Sequence, residues 1–147
     1  MGSPRLTKLC DSIELSVKES CKDRISVSFS GGIDSTLIAF LAQKYCDVEL
    51  IAVGIPDAHD LKAARSASEL IDMELKVIEV EPRDMITEGM EMQKCLNLSS
   101  MEVEFMLPFW IAAKNSDNSI LMCGQGADEL FGGYARFRTE DAEYDLE

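Results

Sequence analysis

The stretch that decides the fold is "VSFSGGIDSTLIAF", Val27–Phe40. An apolar run stops at Ser30-Gly31-Gly32 and resumes from Ile33 as an amphipathic pattern, with Leu37, Ile38 and Leu41 on one helical face. The pattern predicts a strand that passes into a helix through two glycines. Adjacent glycines allow positive φ and let backbone N–H groups approach a ligand. The helix start adds unpaired donors and the positive end of its dipole. Together they form an anion site. Ser30 and Ser35 can donate to the same oxygens. Asp34 would repel a phosphate unless a cation lay between them, so it predicts Mg²⁺ shared by the carboxylate and substrate phosphates. The bland alternative is a strand-to-helix turn with an Asp/Ser cap. The loop is not a Walker A loop, because G-x-x-x-x-G-K-S/T is absent.

The rest of the chain predicts further units of the same kind. Leu6, Leu9, Ile13 and Val17 predict a helix over 5–20, and "RISVSF" a strand over 24–29. A helix over 34–45, a strand over 48–55, a helix over 56–73 and a strand over 74–80 follow. Helices over 81–96 and 99–115 come next, the second kinked or broken at Pro108, then a strand over 119–124 and a short helix or turn from 128. Strands separated by helices imply parallel pairing. The expected fold class is α/β: a doubly wound, mostly parallel, Rossmann-like sheet in a three-layer α/β/α sandwich. Ligands of such sheets sit beyond the carboxyl ends of the strands, where the strand order reverses.

A second loop, "CGQGADELFGGY" from Cys123 to Tyr134, leaves the last strand. A Rossmann-like order would set that strand beside the first. Gly124 and Gly126 permit close backbone approach, and Asp128 and Glu129 supply carboxylates. Asp128 is a candidate to share Mg²⁺ with Asp34.

Composition sets the outer limits. The chain has 147 residues, 46% hydrophobic and 28% charged, with a formal net charge of −13. This is one domain's worth of chain, and 1–147 is read as a single domain. An acidic chain lacks the basic patch that a phosphate backbone needs, so nucleic acid is not expected as a partner. No unbroken apolar run reaches membrane-spanning length, and no leader pattern opens the chain, so the cytoplasm is the expected compartment. Five cysteines, Cys10, Cys21, Cys46, Cys95 and Cys123, are widely spaced and read as reduced core thiols. Trp110 and Phe109 are expected in the core or at a partner surface, and Arg65 in a salt bridge rather than on phosphate. The acidic "TEDAEYDLE" reads as a solvated terminus, and Arg136 and Arg138 as candidate triphosphate contacts.

"SGGIDS" resembles the S-G-G-x-D-S loop of the PP-loop ATP pyrophosphatases. "GQGADELFGGY" is similar to the S-G-E-G-x-D-E-x-x-x-G-Y motif of the asparagine synthetases, and "VGIPDAHDLKAARSASEL", 53–70, resembles the segment after their second strand. The resemblance covers roughly residues 24–138. It implies ATP and Mg²⁺ as cofactors and Ser30, Gly31, Gly32, Ile33, Asp34 and Ser35 as the pyrophosphate loop. Val53, Gly54, Cys123 and Gly124 would line the nucleotide pocket, with Asp34 and Asp128 on the metal. Asp34, Gln125, Asp128 and Glu129 are the implied catalytic positions.

The implied reaction is adenylation of a carboxylate, aspartate in the family, with release of pyrophosphate, followed by displacement of AMP by ammonia. Gln125 stands where the family has glutamate, Cys123 where serine is common, and residues 99–110 lack the family's arginine. The glutaminase half and a downstream lysine are not found in this sequence, so truncation, a separate glutaminase or C-terminal partner chain, and a homo-oligomer stay open. The competing expectations are an NAD-synthetase-like or tRNA-thiolating enzyme, and an ATP-binding module not competent by itself.

Overall fold

The computed structural model describes residues 4–133. Tyr134, Arg136, Arg138 and the acidic terminus lie outside them. The elements run α1 (Pro4–Ser20), β1 (Arg24–Ser28), α2 (Ile33–Ala42), β2 (Asp47–Gly54), α3 (His59–Leu70), β3 (Leu75–Glu79), α4 (Pro82–Leu96), α5 (Ser100–Lys114), β4 (Leu121–Met122) and α6 (Ala127–Phe131). The four strands form one sheet in the order β3-β2-β1-β4. Every pairing is parallel, with Val27 opposite both Leu50 and Met122. The expected α/β class and Rossmann-like order are therefore observed.

Side-chain alternation along β2 divides the core in two. Leu50 and Ala52 join Ile25 and Val27 of β1 and Phe29 just after it in a cluster closed by Val17, Ala39, Leu41, Leu61 and Ala64 from α1, α2 and α3. Val53 points the other way, into Met92, Leu107 and Ile111 of α4 and α5. Successive residues of a strand face opposite sides, so the sheet lies between two helical layers.

β4 is short, and a polar cluster pins its approach. The Ser26 hydroxyl, fully buried in β1, donates to Glu49 Oε2 at 2.8 Å and lies 2.7 Å from the Ser116 hydroxyl. Asn118 Nδ2 donates to Ser26 Oγ at 2.9 Å. A buried hydroxyl with several partners is tolerated where an unpaired one would cost roughly 1–3 kcal/mol.

Three expectations need correction. Helix α5 is uninterrupted through Pro108. Proline there forfeits one bond to the Glu104 carbonyl, but Glu104 is exposed, so water can replace it. A reciprocal Ser99–Glu102 capping box and the burial of Leu107, Ile111 and Ala112 support the helix on both sides of Pro108. Helix α3 starts at His59, not Pro56, because Asp57 adopts φ +62° and Ala58 N–H turns back to the Ile55 carbonyl. The cysteines are not all core residues: Cys10 and Cys95 are exposed, whereas Cys21 and Cys46 are half-buried against the first core cluster and Cys123 is half-buried.

Candidate functional site

β1 lies between β2 and β4, so the strand order reverses at its carboxyl end. Phe29 N–H donates to the Ile51 carbonyl at 2.8 Å and carries the pairing one residue past β1. The chain then turns through Gly31 at φ +77° into α2. Gly31 has a second constraint besides φ. A Cβ there would stand 2.6 Å from the Ala63 carbonyl oxygen of α3, closer than real Cβ contacts reach.

Two hydroxyls bind this turn together. Ser35, buried at the start of α2, receives the Ser30 N–H at 3.3 Å and donates to the Gly32 carbonyl at 3.2 Å. Its Oγ lies 3.2 Å from Ser30 Oγ, which also accepts from Gly32 N–H at 3.3 Å. The N-cap Gly32 gives no side-chain cap. The first N–H groups of an α-helix have no partner within it, so α2 offers donors and a positive dipole end to the crevice.

The loop after β4 closes the other side. A Cβ on Gly124 would lie 2.7 Å from Asp34 Cβ and 2.9 Å from Ser35 N. The bare backbone of one glycine-rich loop therefore rests on the first turn behind the other. Between them opens a cavity of about 330 Å³. Its polar wall is Ser30, Gly32, Asp34 and Ser35 with Gly124 and Gln125. Ala52, Val53, Asp60 and Leu61 form the β2–α3 wall, and Phe105, Pro108 and Phe109 the α5 wall.

Seven expected site residues thus line one cavity: Ser30, Gly32, Asp34, Ser35, Val53, Gly124 and Gln125. Gly31, Gly54 and Cys123 shape the backbone beside it, and the Ile33 side chain is 85% exposed. Asp128 and Glu129 are exposed on α6 and are not on the cavity wall. A Cβ on Gly133 would overlap the Asp128 carboxylate, which lies over that glycine.

Among the described residues, no group of three or more His, Cys, Asp or Glu could enclose an ion. Mg²⁺ usually takes one or two carboxylates and fills its shell with waters and phosphate oxygens. Asp34, on the cavity wall in the first turn of α2, suits that donor set. Arg65 stands 3.5 Å from Glu79, as a salt bridge.

Asp60 and the α5 aromatics were not foreseen in the site. Asp60 sits in the first turn of α3, where an acidic residue reads as a dipole partner. Phe105 and Phe109 are four apart on a helix and read as packing residues, but they face the cavity. Their helix is fixed on its other side. Trp110 Nε1 donates to Glu88 at 2.9 Å, and Lys114 Nζ bridges Glu88 at 2.8 Å and Glu91 at 2.9 Å. The Lys114 ammonium, aided by Trp110, holds the Glu88 carboxyl below its ordinary range.

Residues 8–146 match the asparagine synthase family. The chain belongs to that family. A Methanocaldococcus jannaschii protein assigned as a glutamine-hydrolyzing asparagine synthetase is 35% identical over 118 residues, 78% of this chain and 22% of its own. The chain thus spans about a fifth of that relative's length. The fold of this asparagine synthase family member is shared with more distant structures. NH3-dependent NAD synthetase from Campylobacter jejuni superposes with TM-score 0.52 and 24% identity, covering 87% of this chain and 58% of that one. NMN synthetase from Francisella tularensis gives TM-score 0.55 and 18% identity, covering 93% and 61%.

Proposed function

We propose that the chain binds ATP with Mg²⁺ in the crevice and serves ATP-dependent amidation of a carboxylate. The observation that carries this reading is the seating of Gly124 against Asp34 and Ser35, which joins both family loops around one cavity at the switch point. In this reading the N–H groups of α2 and the hydroxyls of Ser30 and Ser35 hold the pyrophosphate end. Val53, Gly54, Cys123 and Gly124 line the nucleotide pocket. Asp34 would hold Mg²⁺, with Asp128 as the candidate second carboxylate. When bound, Mg²⁺ would supply charge neutralisation on the departing pyrophosphate.

The chemistry balances as two displacements. A carboxylate oxygen of the acceptor attacks the α-phosphorus, and the bond to pyrophosphate breaks. Ammonia then attacks the acyl carbon, the bond to AMP breaks, and a proton leaves the new amide nitrogen. The chain contributes positioning and preorganised donors rather than a covalent nucleophile. Ammonia would come from solution or from a separate glutaminase chain.

Gln125 supports a second reading. It lines the cavity where a base would be useful, but an amide takes no proton at neutral pH. This favours an ATP-binding module that gains competence from a partner chain. A pyrophosphate-release assay with ATP, Mg²⁺, ammonia and a panel of carboxylates including aspartate separates the two. Acceptor-dependent release supports the amidating enzyme. ATP binding without release supports the module, and no ATP binding refutes both.

A further inference from the structure

Two thiols meet at the base of the β1–α2 unit, at the end of the sheet away from the crevice. Cys21 stands between α1 and β1, and Cys46 between α2 and β2. Both are half-buried and pack against the first core cluster. Cys21 N–H returns to the Val17 and Lys18 carbonyls, and Cys46 N–H to the Ala42 carbonyl, so helix ends fix both backbones. Asp47 N–H donates to the Asp23 carbonyl at 3.2 Å, and Arg24 pairs with Asp47, so the two segments run side by side. Strands paired in this way lie about 4.8 Å apart, inside the Cα span that a disulfide bridges. The side chains converge as well. Cys21 Sγ lies 3.9 Å, and Cys46 Sγ 3.6 Å, from one shared acceptor, the Ala42 carbonyl oxygen.

We propose that Cys21 and Cys46 form a reversible disulfide, made by exchange with a low-molecular-weight disulfide, that staples the β1–α2 unit at its base. The bridge closes a covalent loop around β1, the SGGIDS turn and α2. It strengthens a junction where Glu14 of α1 already accepts from Lys44 Nζ at 3.0 Å and from the Tyr45 hydroxyl at 2.7 Å. The reaction balances as two exchanges. The Cys21 thiolate attacks one sulfur of the oxidant, the oxidant's S–S bond breaks, and one thiolate leaves. Cys46 then attacks the Cys21 sulfur, the mixed disulfide breaks, and a second thiolate leaves. The two protein thiols give up two protons and two electrons, and the oxidant becomes two thiols. Burial, and then its hydrogen bond with Cys21, push the Cys46 thiol up to about 12, so Cys46 keeps its proton while Cys21 opens the exchange.

The full chain is incubated with glutathione disulfide at pH 8. Cys10 and Cys95, exposed on α1 and α4, take up glutathione and report that the oxidant has reacted. Remaining thiols are then blocked under denaturing conditions and the peptides are mapped by mass spectrometry. A Cys21–Cys46 cross-link should form in most molecules, be absent from Cys21→Ser and Cys46→Ser, and reverse with dithiothreitol. Melting is compared in a Cys10→Ser/Cys95→Ser background, where the bridge is not confounded by surface glutathione. The bridged form should melt about 5 °C or more above the reduced form, because the closed loop restricts the unfolded chain. Recovery of Cys21 and Cys46 as free thiols, or of glutathione held on Cys21, while Cys10 and Cys95 are modified overturns the proposal. So do cross-links spread over other cysteine pairs, or a bridged form that melts at or below the reduced one.

Discussion

Gly124→Ala is the sharpest perturbation of the crevice. The added Cβ would lie 2.7 Å from Asp34 Cβ, 2.9 Å from Ser35 N and 3.0 Å from the Asp34 carbonyl carbon. Ordinary contact begins near 3.4 Å, so the two loops must part by about 0.7 Å. Two of the three opposing atoms belong to the backbone of α2, which cannot swing aside as a side-chain tip would. Overpacking of this kind typically costs about 1–3 kcal/mol. If half of that strain falls on the ATP-competent arrangement, affinity drops about 2- to 12-fold, at ~1.4 kcal/mol per tenfold.

The assay is isothermal titration of Mg-ATP into wild type and variant, beside urea unfolding of each. Gly126→Ala is the comparison. Gly126 has φ +91° but no neighbouring atom within 4 Å, so its alanine is strained without wedging the loops apart. It should lower stability by about 1 kcal/mol with a smaller effect on ATP. A folded Gly124→Ala protein that binds ATP as the wild type does would refute the claim that this contact builds the site.

Further outcomes follow from the same geometry. Ser35→Ala removes the hydroxyl that holds Ser30 and Gly32, and should cost about 1–3 kcal/mol in urea unfolding while weakening ATP binding. Glu88→Gln bears on pH. The folded Glu88 carboxyl titrates below its ordinary 4.5, so its contribution is present above that value and is lost as pH falls through the folded pKa. The melting temperature of Glu88→Gln should therefore fall less between pH 5 and about pH 3 than that of the wild type; parallel curves would remove Glu88 from the acid response. Burial, with the neighbouring Cys21, pushes the Cys46 thiol up to about 12. Mass-spectrometric mapping after iodoacetamide at pH 8 should show exposed Cys10 and Cys95 modified well before Cys46, and early modification of Cys46 would contradict its placement.

The fold was legible because each strand–helix unit carries its own period and its own glycine punctuation. "SGGIDS" announces a turn whose glycines the structure uses twice, for φ at Gly31 and for close approach to α3. Strand order followed from the alternation of elements and places β4 beside β1 as expected. What escaped was context. Pro108 reads as a breaker, yet its lost bond faces solvent while the buried face of α5 holds the helix. Cys10 and Cys95 read as core by residue type and are exposed, because type alone does not report which face of a helix turns inward. Phe105, Phe109 and Asp60 escaped for a related reason. Helical spacing says that two phenylalanines share a face but not that the face borders a cavity. Asp128 stands in a motif that resembles a metal site, and the placement of its carboxylate over Gly133 is not something the motif announces.

The central claim is that the donors of α2 hold the pyrophosphate end of ATP, with Asp34 acting through Mg²⁺. Calorimetric titration of the full chain with ATP and AMP, each with and without Mg²⁺, tests it most directly. Mg-ATP should bind at least about tenfold tighter than AMP, and withdrawing Mg²⁺ should weaken ATP but not AMP, since Asp34 would then repel the uncompensated phosphates. Equal affinity for ATP and AMP, or ATP binding indifferent to Mg²⁺, would contradict the account.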